Sequence, residues 1–452
     1  MAINEYYIDA GGGSDSSGDG SSGNPWATLY YAWANSSHGT SGVRFWLYGT
    51  HTLASTGTGS GYLSGRLPVS AESSGVIPYS SIERPIRFQG WDKLGAGTAY
   101  PGTINTSGIT ASATTGVHDG RLFDQSQYHR RLVFRDLEFV DTALYLSGDH
   151  CVASNCYFRP TSQFKVSGVY LGAWSIIENC HIEANAYYSG GSYGLTFINN
   201  FITDDYFFLS TTTGHFHDFW EAGGTSYTLV KPGGGASKMS RNIFAVTGAV
   251  PCFEILQGVN IDHNSILRTG GSFGWYANAR TPAITTAARG VGYLGLLEYT
   301  DGINPVNQGT IISNNIVEGY ETKKAFEITD GSGVQVVAGN AAYNNGTDYD
   351  LDATYGATGD TYMQSSGPCP YVPAIESDNE SLSASPFAKS GALTFDNRFT
   401  YFAPNNVGNV LGGAYNGQGT LDKGAVQTPS GYVSSSGSDM LTNPGMAGGM
   451  RG

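Results

Sequence analysis

Hydrophobic residues in the central part of the chain recur in short segments that alternate apolar and polar positions, the period of a half-buried β-strand. Eight such segments can be superimposed, and two columns of the superposition, five positions apart, are apolar throughout. The segments are 132–139, 151–158, 175–182, 195–202, 237–244, 259–266, 310–317 and 335–342. Between the apolar columns, one column reads Leu137, Cys156, Cys180, Asn200, Asn242, Asn264, Asn315 and Asn340, and the column before it is rich in Asp and Asn. The pattern predicts a strand, a polar corner and a second strand in every repeat.

The repeat recurs every 19–25 residues, with two longer intervals of 42 and 51 residues that indicate doubled or expanded units. Such a period is typical of a solenoid, in which each unit contacts its neighbours. With coils about 4.8 Å apart, the apolar columns become continuous interior stacks. Asparagine suits the corner because it tolerates a left-handed backbone and because its amide can bond the equivalent asparagine one coil away. Period-two alternation disfavours a helical repeat, and the spacing of a leucine-rich repeat is absent.

The N-terminal residues predict a short helix before the first coils. Asn24 can cap a helix and Pro25 suits its first position, while an apolar stripe follows at Trp26, Leu29, Tyr30 and Trp33. We expect this helix to close the open end of the solenoid, which would otherwise present an unpaired edge.

Several segments carry a resemblance to a known superfamily. Tyr7-Ile8-Asp9, Gly13-Ser14-Asp15 and 23–29 are similar to its entry sequence, and 385–391 with 422–425 resemble its closing segments. Together with the repeat, residues 5–427 resemble the pectate-lyase-like right-handed parallel β-helices, which include polysaccharide lyases, glycoside hydrolases and phage tailspikes. The resemblance implies an all-β, right-handed parallel β-helix. Its expected parts are an N-terminal strand and capping helix (1–40), a body (41–350), C-terminal coils and a cap (351–427), and a flexible tail (428–452).

The composition excludes some classes of binding partner. The formal net charge of −14 argues against a nucleic-acid groove, which needs a basic stripe. No apolar run approaches the ~18–20 residues of a membrane span, so no membrane partner is expected.

The N-terminal residues lack the pattern of a secretion signal. The cysteines are five in number and form no Cys-x-x-Cys pair, which predicts buried thiols.

Two long segments, 203–236 and 267–309, interrupt the repeat and are the expected location of a site, because function concentrates in long loops on rigid scaffolds. The candidate catalytic residues are Asp204, Asp205, His215, His217, Asp218 and Glu221. The candidate carbohydrate-binding residues are Trp220, Arg268, Trp275, Tyr276 and Arg280.

These residue types suit a glycan. Aromatic rings can stack on sugars, and paired carboxylates can cleave a glycosidic bond. A lyase would instead need a base near the uronate C5 proton and a cation, often Ca²⁺. Asp204-Asp205 is also a common turn pair, and His215-x-His217 lacks a third ligand, so no metal site is assigned. Arg241, Asp262 and His263 lie at or beside the repeat corner, where ladder hydrogen bonds explain them as well as catalysis does.

Three functional hypotheses follow. The leading one is a tailspike-like or tail-fibre-like protein of a bacteriophage virion that binds host cell-surface polysaccharide. One version of this hypothesis adds that the protein also degrades the polysaccharide. Its expected partners are polysaccharide and other virion proteins, and its expected state is a homotrimer. The alternatives are an extracellular polysaccharide lyase or glycoside hydrolase, and a purely structural shaft or decoration protein. No spacing in the sequence matches a lyase or glycosidase signature residue by residue.

Overall fold

The computed structural model describes residues 3–38, 41–54, 67, 85–108, 122–123, 131–146, 149–161, 167–183, 189–191, 194–203, 230–232, 237–246, 252–255, 259–269, 284–286, 310–321, 324–328, 334–351, 375–403, 413–414, 420–421 and 424. These residues are mostly β-structure, with two short helices. Among the strands of these residues, all pairs are parallel except one. The described strands therefore form the stacked coils of a parallel β-solenoid, while the right-handed sense of the winding stays a prediction.

The strands fall into three layers. Layer A contains β1 (Asn4–Asp9), the first half of β2 (Val43–Ala54), β3 (Ile86–Gly90), β5 (Leu132–Arg135), β8 (Val152–Ser154), β11 (Ile176–Glu178), β14 (Thr196–Ile198), β17 (Ser237–Ser240), β20 (Val259–Asp262), β23 (Thr310–Ser313), β26 (Val334–Ala338) and β29 (Ile375–Ser377). Layer B contains the second half of β2, β4 (Gly102–Gly108), β6 (Leu137–Val140), β9 (Tyr157–Arg159), β12 (His181–Glu183), β15 (Phe201–Thr203), β18 (Ile243–Val246), β21 (Ser265–Arg268), β24 (Ile316–Glu318), β27 (Ala341–Tyr343) and β30 (Glu380–Ser381).

Layer C is a separate parallel sheet. It contains β7 (Ala143–Leu146), β10 (Gly168–Leu171), β13 (Ser189–Gly191), β16 (Val230–Pro232), β19 (Phe253–Ile255), β22 (Ile284–Thr286), β25 (Lys324–Ile328) and β28 (Thr347–Leu351). An antiparallel pair, β31 (Gly413–Ala414) and β32 (Thr420–Leu421), lies near the C-terminus.

The predicted register of the eight repeats is confirmed. The first apolar column stacks in layer A and the second in layer B, rung by rung, from β5 and β6 to β26 and β27. The 42-residue and 51-residue intervals each advance the solenoid by a single coil, because β14 pairs directly with β17 and β20 with β23. The long intervals are therefore expanded units, and each supplies a regular strand, β16 or β22, to layer C.

Aromatic residues fill much of the interior. Phe88 and Phe134 stack with ring centroids 4.9 Å apart, and Phe139 and Phe158 stack at 4.7 Å, each pair within 5° of parallel. All four side chains are fully buried. Because equivalent rings lie one coil spacing apart, the same contact that fills the tube also favours in-register stacking.

The asparagine corner consists of two adjacent columns with different roles. One column is buried and forms a ladder: the Asn242 backbone N–H and Nδ2 both donate to Asn264 Oδ1 at 2.9 Å. The same pattern links Asn200, Asn242, Asn264, Asn315, Asn340 and Asn379. Each Nδ2 also donates to a main-chain oxygen of an interior strand residue, as Asn264 does to Met239 at 3.0 Å.

The left-handed backbone belongs to the column before the ladder. Its members have φ between +50° and +66° and are Asp136, Asn155, Asn179, Asn199, Arg241, His263, Asn314, Gly339 and Asp378. The expectation that one asparagine performs both tasks was wrong, because the buried amide must lie among interior carbonyls while the left-handed residue forms the turn itself.

Helix α1 runs from Leu29 to Asn35, so the predicted cap at Asn24 was wrong. Trp26 instead pairs with Ile8 as an isolated parallel bridge, which keeps the chain extended past Pro25. Thr28 is the N-cap, and its hydroxyl accepts from the Tyr31 N–H at 3.1 Å.

The helix is anchored at both ends of its buried face. The Asp15 carboxylate accepts the N–H groups of Ala27 and Thr28 at 2.9 and 3.0 Å. Trp33 packs its ring on Phe45 and Phe88 of the first coils. The closing of the tube end by this helix stays a prediction.

The C-terminal residues pack beside the solenoid. Phe387 and Phe402 form a second apolar cluster with outward residues of layer B such as Ile243 and Ile316. Helix α2 (Arg398–Tyr401) belongs to this segment. Part of the predicted closing segment therefore covers the outer side of layer B, and its role as an end cap stays a prediction.

Four cysteines are buried free thiols, as predicted, and Cys369 lies outside the described residues. Cys156 and Cys180 occupy the column that asparagine occupies in later coils. Cys180 continues the ladder, because its N–H donates to Asn200 Oδ1 at 2.9 Å.

We predict that two adjacent substitutions separate the two columns. Asn200→Gly removes the acceptor of Cys180 and the donor to Asn242, and should lower the free energy of unfolding by roughly 3–5 kcal/mol because buried partners lose their hydrogen bonds. Asn199→Gly should be nearly neutral, because φ is +56° there and glycine adopts that conformation freely. Denaturant unfolding of both variants measures the difference, and equal losses would contradict the assignment of roles.

We also predict a pH dependence from His51, which faces the interior beside Ile104. Burial lowers its pKa from 6.5 to about 4, and among the residues that the structure describes neither ring nitrogen has a hydrogen-bond partner. The unfolded state therefore takes up the proton first, so this contribution to stability is present above pH 6.5 and is lost as the pH falls towards 4. His51→Leu should remove about 3 kcal/mol of the change between these limits. The matched control is His150→Asn at an exposed position, which should keep the wild-type slope of unfolding free energy against pH.

Candidate functional site

Ten of the predicted site residues lie outside the described residues and stay predictions. They are Asp204, Asp205, His215, His217, Asp218, Trp220, Glu221, Trp275, Tyr276 and Arg280. The eleventh, Arg268, is the last residue of β21. Its side chain is 7% exposed, and its Nη1 donates to the main-chain oxygen of Gly319 at 3.4 Å.

The residues expected at the repeat corner are found there. Arg241 and His263 have φ of +57° and +55° and take the left-handed position of their coils. Asp262 ends β20, with Oδ2 3.2 Å from His263 Nδ1. Burial alone would raise the pKa of Asp262, but the hydrogen bond and charge of His263 lower it below its usual value.

A cluster that the sequence reading did not predict lies on the outer side of layer A in the first coils. We call it the arginine face, and define it by Arg44, Arg87, Arg135, Tyr7, Trp46 and Trp91. Its register places Arg44 directly beside Arg87, and Trp46 beside Gln89, which in turn lies beside Arg135. The three arginines come from three successive coils, on β2, β3 and β5. Neighbouring strands are about 4.8 Å apart, so the three side chains lie close together.

Arg87 is the electrostatic centre of this face. Its pKa is lowered by burial first and then by the charges of Arg44 and Arg135. Arg44 has an acidic partner, Glu5, with Nη1 3.0 Å from Oε1. Within the described part of the chain, the side chains of Arg87 and Arg135 form no hydrogen bond or ion pair, and the Nε of Arg87 is buried without an acceptor. The arrangement therefore leaves positive charge uncompensated in an acidic protein.

Aromatic rings border the arginines. Tyr7 stacks on Trp46 with centroids 6.1 Å apart and meets Trp91 edge-on at 4.9 Å. The Arg44 guanidinium lies 5.1 Å from the Trp46 ring centroid. Tyr7, Trp46 and Trp91 are all partly exposed, so the face offers rings as well as cations. Such rings present apolar faces, and arginine forks match carboxylate and sulfate oxygens.

A charged cluster on the outer side of layer B differs from this face. Arg159 Nε donates to Glu138 Oε1 at 2.5 Å, and Thr103 Oγ1 donates to the other oxygen of Glu138 at 2.8 Å. The hydroxyl of Tyr157 donates to Glu183. These charges have partners within the protein, so the cluster is typical of a structural network.

The sequence carried little signal for the arginine face. Its strands β2 and β3 precede the eight superimposed segments, and the outward positions do not repeat from coil to coil. The alternation in Val43-Arg44-Phe45-Trp46-Leu47 and in Ile86-Arg87-Phe88-Gln89 indicates which side chains face out, but not which of them lie side by side.

The described residues contain neither a candidate metal cluster nor a helix suited to a membrane. No group of three or more His, Cys, Asp or Glu residues among them is placed to hold a metal ion. Among the same residues, no helix has the length and apolar character needed to cross a membrane.

Comparison with known proteins gives distant structural similarities. No family model matches the chain, and no curated protein matches it in sequence. A solved rhamnogalacturonan lyase aligns over 76% of this chain and 75% of its own, at 14% identity and a TM-score of 0.38. The native GH136 lacto-N-biosidase from Eubacterium ramulus aligns over 84% of this chain and 68% of its own, at 9% identity and a TM-score of 0.33. Its selenomethionine derivative gives a TM-score of 0.35 at 10% identity. At these TM-scores we take no function from the alignments.

We predict that Arg87→Gln stabilises the fold at low ionic strength. Removing the central charge relieves repulsion with Arg44 and Arg135, which is worth roughly 0.5 kcal/mol for like charges on adjacent strands. The gain should shrink in 1 M salt, where the Debye length is about 3 Å. Thermal unfolding at both salt concentrations measures it. The control is Lys238→Gln, also on layer A but near Asp262, which should bring no gain. A loss of stability in Arg87→Gln at low salt would show that Arg87 is compensated.

Proposed function

We propose that this chain binds an acidic polysaccharide, with the arginine face as the binding surface. The observation that carries the proposal is Arg87, a partly exposed arginine whose electrostatic neighbours are two further arginines. An anionic ligand would supply the missing counter-charge, and the adjacent rings of Trp46 and Tyr7 would stack on sugar units. A neutral glycan would leave the repulsion among the arginines unrelieved.

The finer form of the proposal is a tailspike-like bacteriophage protein that recognises host cell-surface polysaccharide, in a trimer with virion partners. An extracellular polysaccharide lyase or glycoside hydrolase is the alternative, and a binding face for acidic chains is useful to both. The finer form of the proposal also includes cleavage of the bound polysaccharide by the carboxylates between Asp204 and Glu221. Release of unsaturated uronates or reducing ends from a bound polymer tests it.

We predict that binding depends on Arg87 and Trp46. Calorimetric titration with polygalacturonate, alginate, hyaluronate and heparin should show binding of at least one polymer and none of neutral dextran. Arg87→Gln and Trp46→Ala should each weaken that binding roughly 10-fold or more, because a charge-assisted hydrogen bond or a stacking ring is lost. Affinity should also fall as salt is added.

The matched control removes the same charge elsewhere on layer A. Lys238 is exposed and lies on β17, far along the solenoid from β3, so Lys238→Gln should leave the affinity unchanged. Binding of none of the four acidic polymers, or equal losses in Lys238→Gln and Arg87→Gln, would overturn the proposal.

A further inference from the structure

A second corner of the solenoid, at the entry to layer A, also holds its residues in the left-handed conformation. Arg131, His150, Trp174 and Gly194 occupy it in successive coils, with φ of +57°, +59°, +56° and +67°. The corner is fixed by main-chain hydrogen bonds between coils, such as His150 N–H to Ala173 O at 2.8 Å. The fold therefore demands this backbone conformation whichever residue is present.

Trp174 is the residue least suited to that position. A left-handed backbone costs a residue with a β-carbon roughly 1–2 kcal/mol, and a bulky residue at positive φ is a genuine outlier. Gly194 takes the same position in the next coil without that cost. Strain of this kind is concentrated at functional sites, so the outlier favours a functional role for Trp174.

Packing does not account for the indole. Trp174 is 56% exposed, and no aromatic or cation contact to it is found in the described part of the chain. One side of the ring lies against the backbone of Gly194, where an added Cβ would be 2.2 Å from the indole Cε3. The glycine thus leaves room for the ring to lie against the corner, with much of its surface open to solvent.

Trp174 lies along the same layer as the arginine face. It precedes β11, which is separated from β2 by the pairings β2–β3, β3–β5, β5–β8 and β8–β11. At about 4.8 Å per strand, the strand of Trp46 and the coil of Trp174 are roughly 19 Å apart along the solenoid axis.

We propose that Trp174 is a second sugar-stacking subsite for the same acidic polysaccharide, so that the ligand is an extended chain running along the entry side of layer A. This inference rests on the proposed function. The exposed ring of Trp174, one coil after the exposed His150, suits the apolar face of one sugar unit. A protein partner would need a contact of about 1,200 Å² or more with an apolar centre, which one isolated ring does not provide.

The test separates the ring from the fold. Trp174→Gly places at this corner the residue that the next coil already has, so its melting temperature should equal or exceed that of wild type. Its affinity for the acidic polymer that wild type binds should fall roughly 3- to 10-fold. Its affinity for short oligomers of the same polymer, two or three sugars long, should not change, because these do not span both subsites.

Two further variants complete the design. Trp174→Phe retains an aromatic ring and should keep most of the polymer affinity. The control Asn179→Gly changes another left-handed residue of the same coil, at the opposite corner, and should bind like wild type.

Wild-type polymer affinity in Trp174→Gly, together with weakened binding in Arg87→Gln, would overturn the second subsite and leave the proposed function intact. Absence of polymer binding in the wild type, or full binding in Arg87→Gln, would overturn the proposed function itself.

Discussion

The buried asparagine ladder is the constraint on which the rest of the structure depends. Each amide satisfies its neighbour in the next coil and a carbonyl of an interior strand, so the hydrogen bonds close only when successive coils are in register. An unsatisfied amide in this interior would cost about 1–3 kcal/mol, so a slipped coil is penalised at every rung. The ladder from Asn200 to Asn379 therefore fixes the coils even where 42 or 51 residues separate neighbouring rungs.

The fixed register also determines which outward-facing side chains are neighbours on the surface. An outward side chain of one strand lies beside that of the next coil, whatever the length of chain between them. Arg44, Arg87 and Arg135 are more than 40 residues apart in sequence at each step, yet the pairings of β2, β3 and β5 place them on one patch. Such a scaffold can hold like charges together, because the interior stacks and ladders supply the stability that the patch removes.

The sequence predicted the interior well and the exterior poorly, for a physical reason. Interior positions such as those of Phe134 and Asn264 keep their residue type in most coils, because each contacts its own equivalent, and repetition is what a single sequence reveals. Outer positions have no such requirement, so the alternation of Ile86-Arg87-Phe88-Gln89 indicates that Arg87 faces outward but does not place it beside other arginines. Local rules also failed where a longer-range contact was stronger: Trp26 pairs with Ile8, and the helix begins at Leu29 instead of after Asn24. The layer C strand Ser189–Gly191 has no apolar side chain, so the alternation of hydrophobic positions could not identify it.

Residues whose placement lowers the stability of the free protein distinguish a ligand-binding surface from one that only covers the core. On layer B, the carboxylate of Glu138 accepts hydrogen bonds from Arg159 and Thr103, so the charges of this cluster compensate each other within the protein. On layer A, Arg87 lies among like charges, and Trp174 holds an exposed ring in a backbone conformation that glycine adopts freely. Both features cost stability in the free protein, and both would be offset by one kind of partner, a chain that carries negative charge and apolar sugar faces. Because the two lie along one layer of one rigid solenoid, a single extended ligand accounts for them with fewer assumptions than two unrelated roles would need.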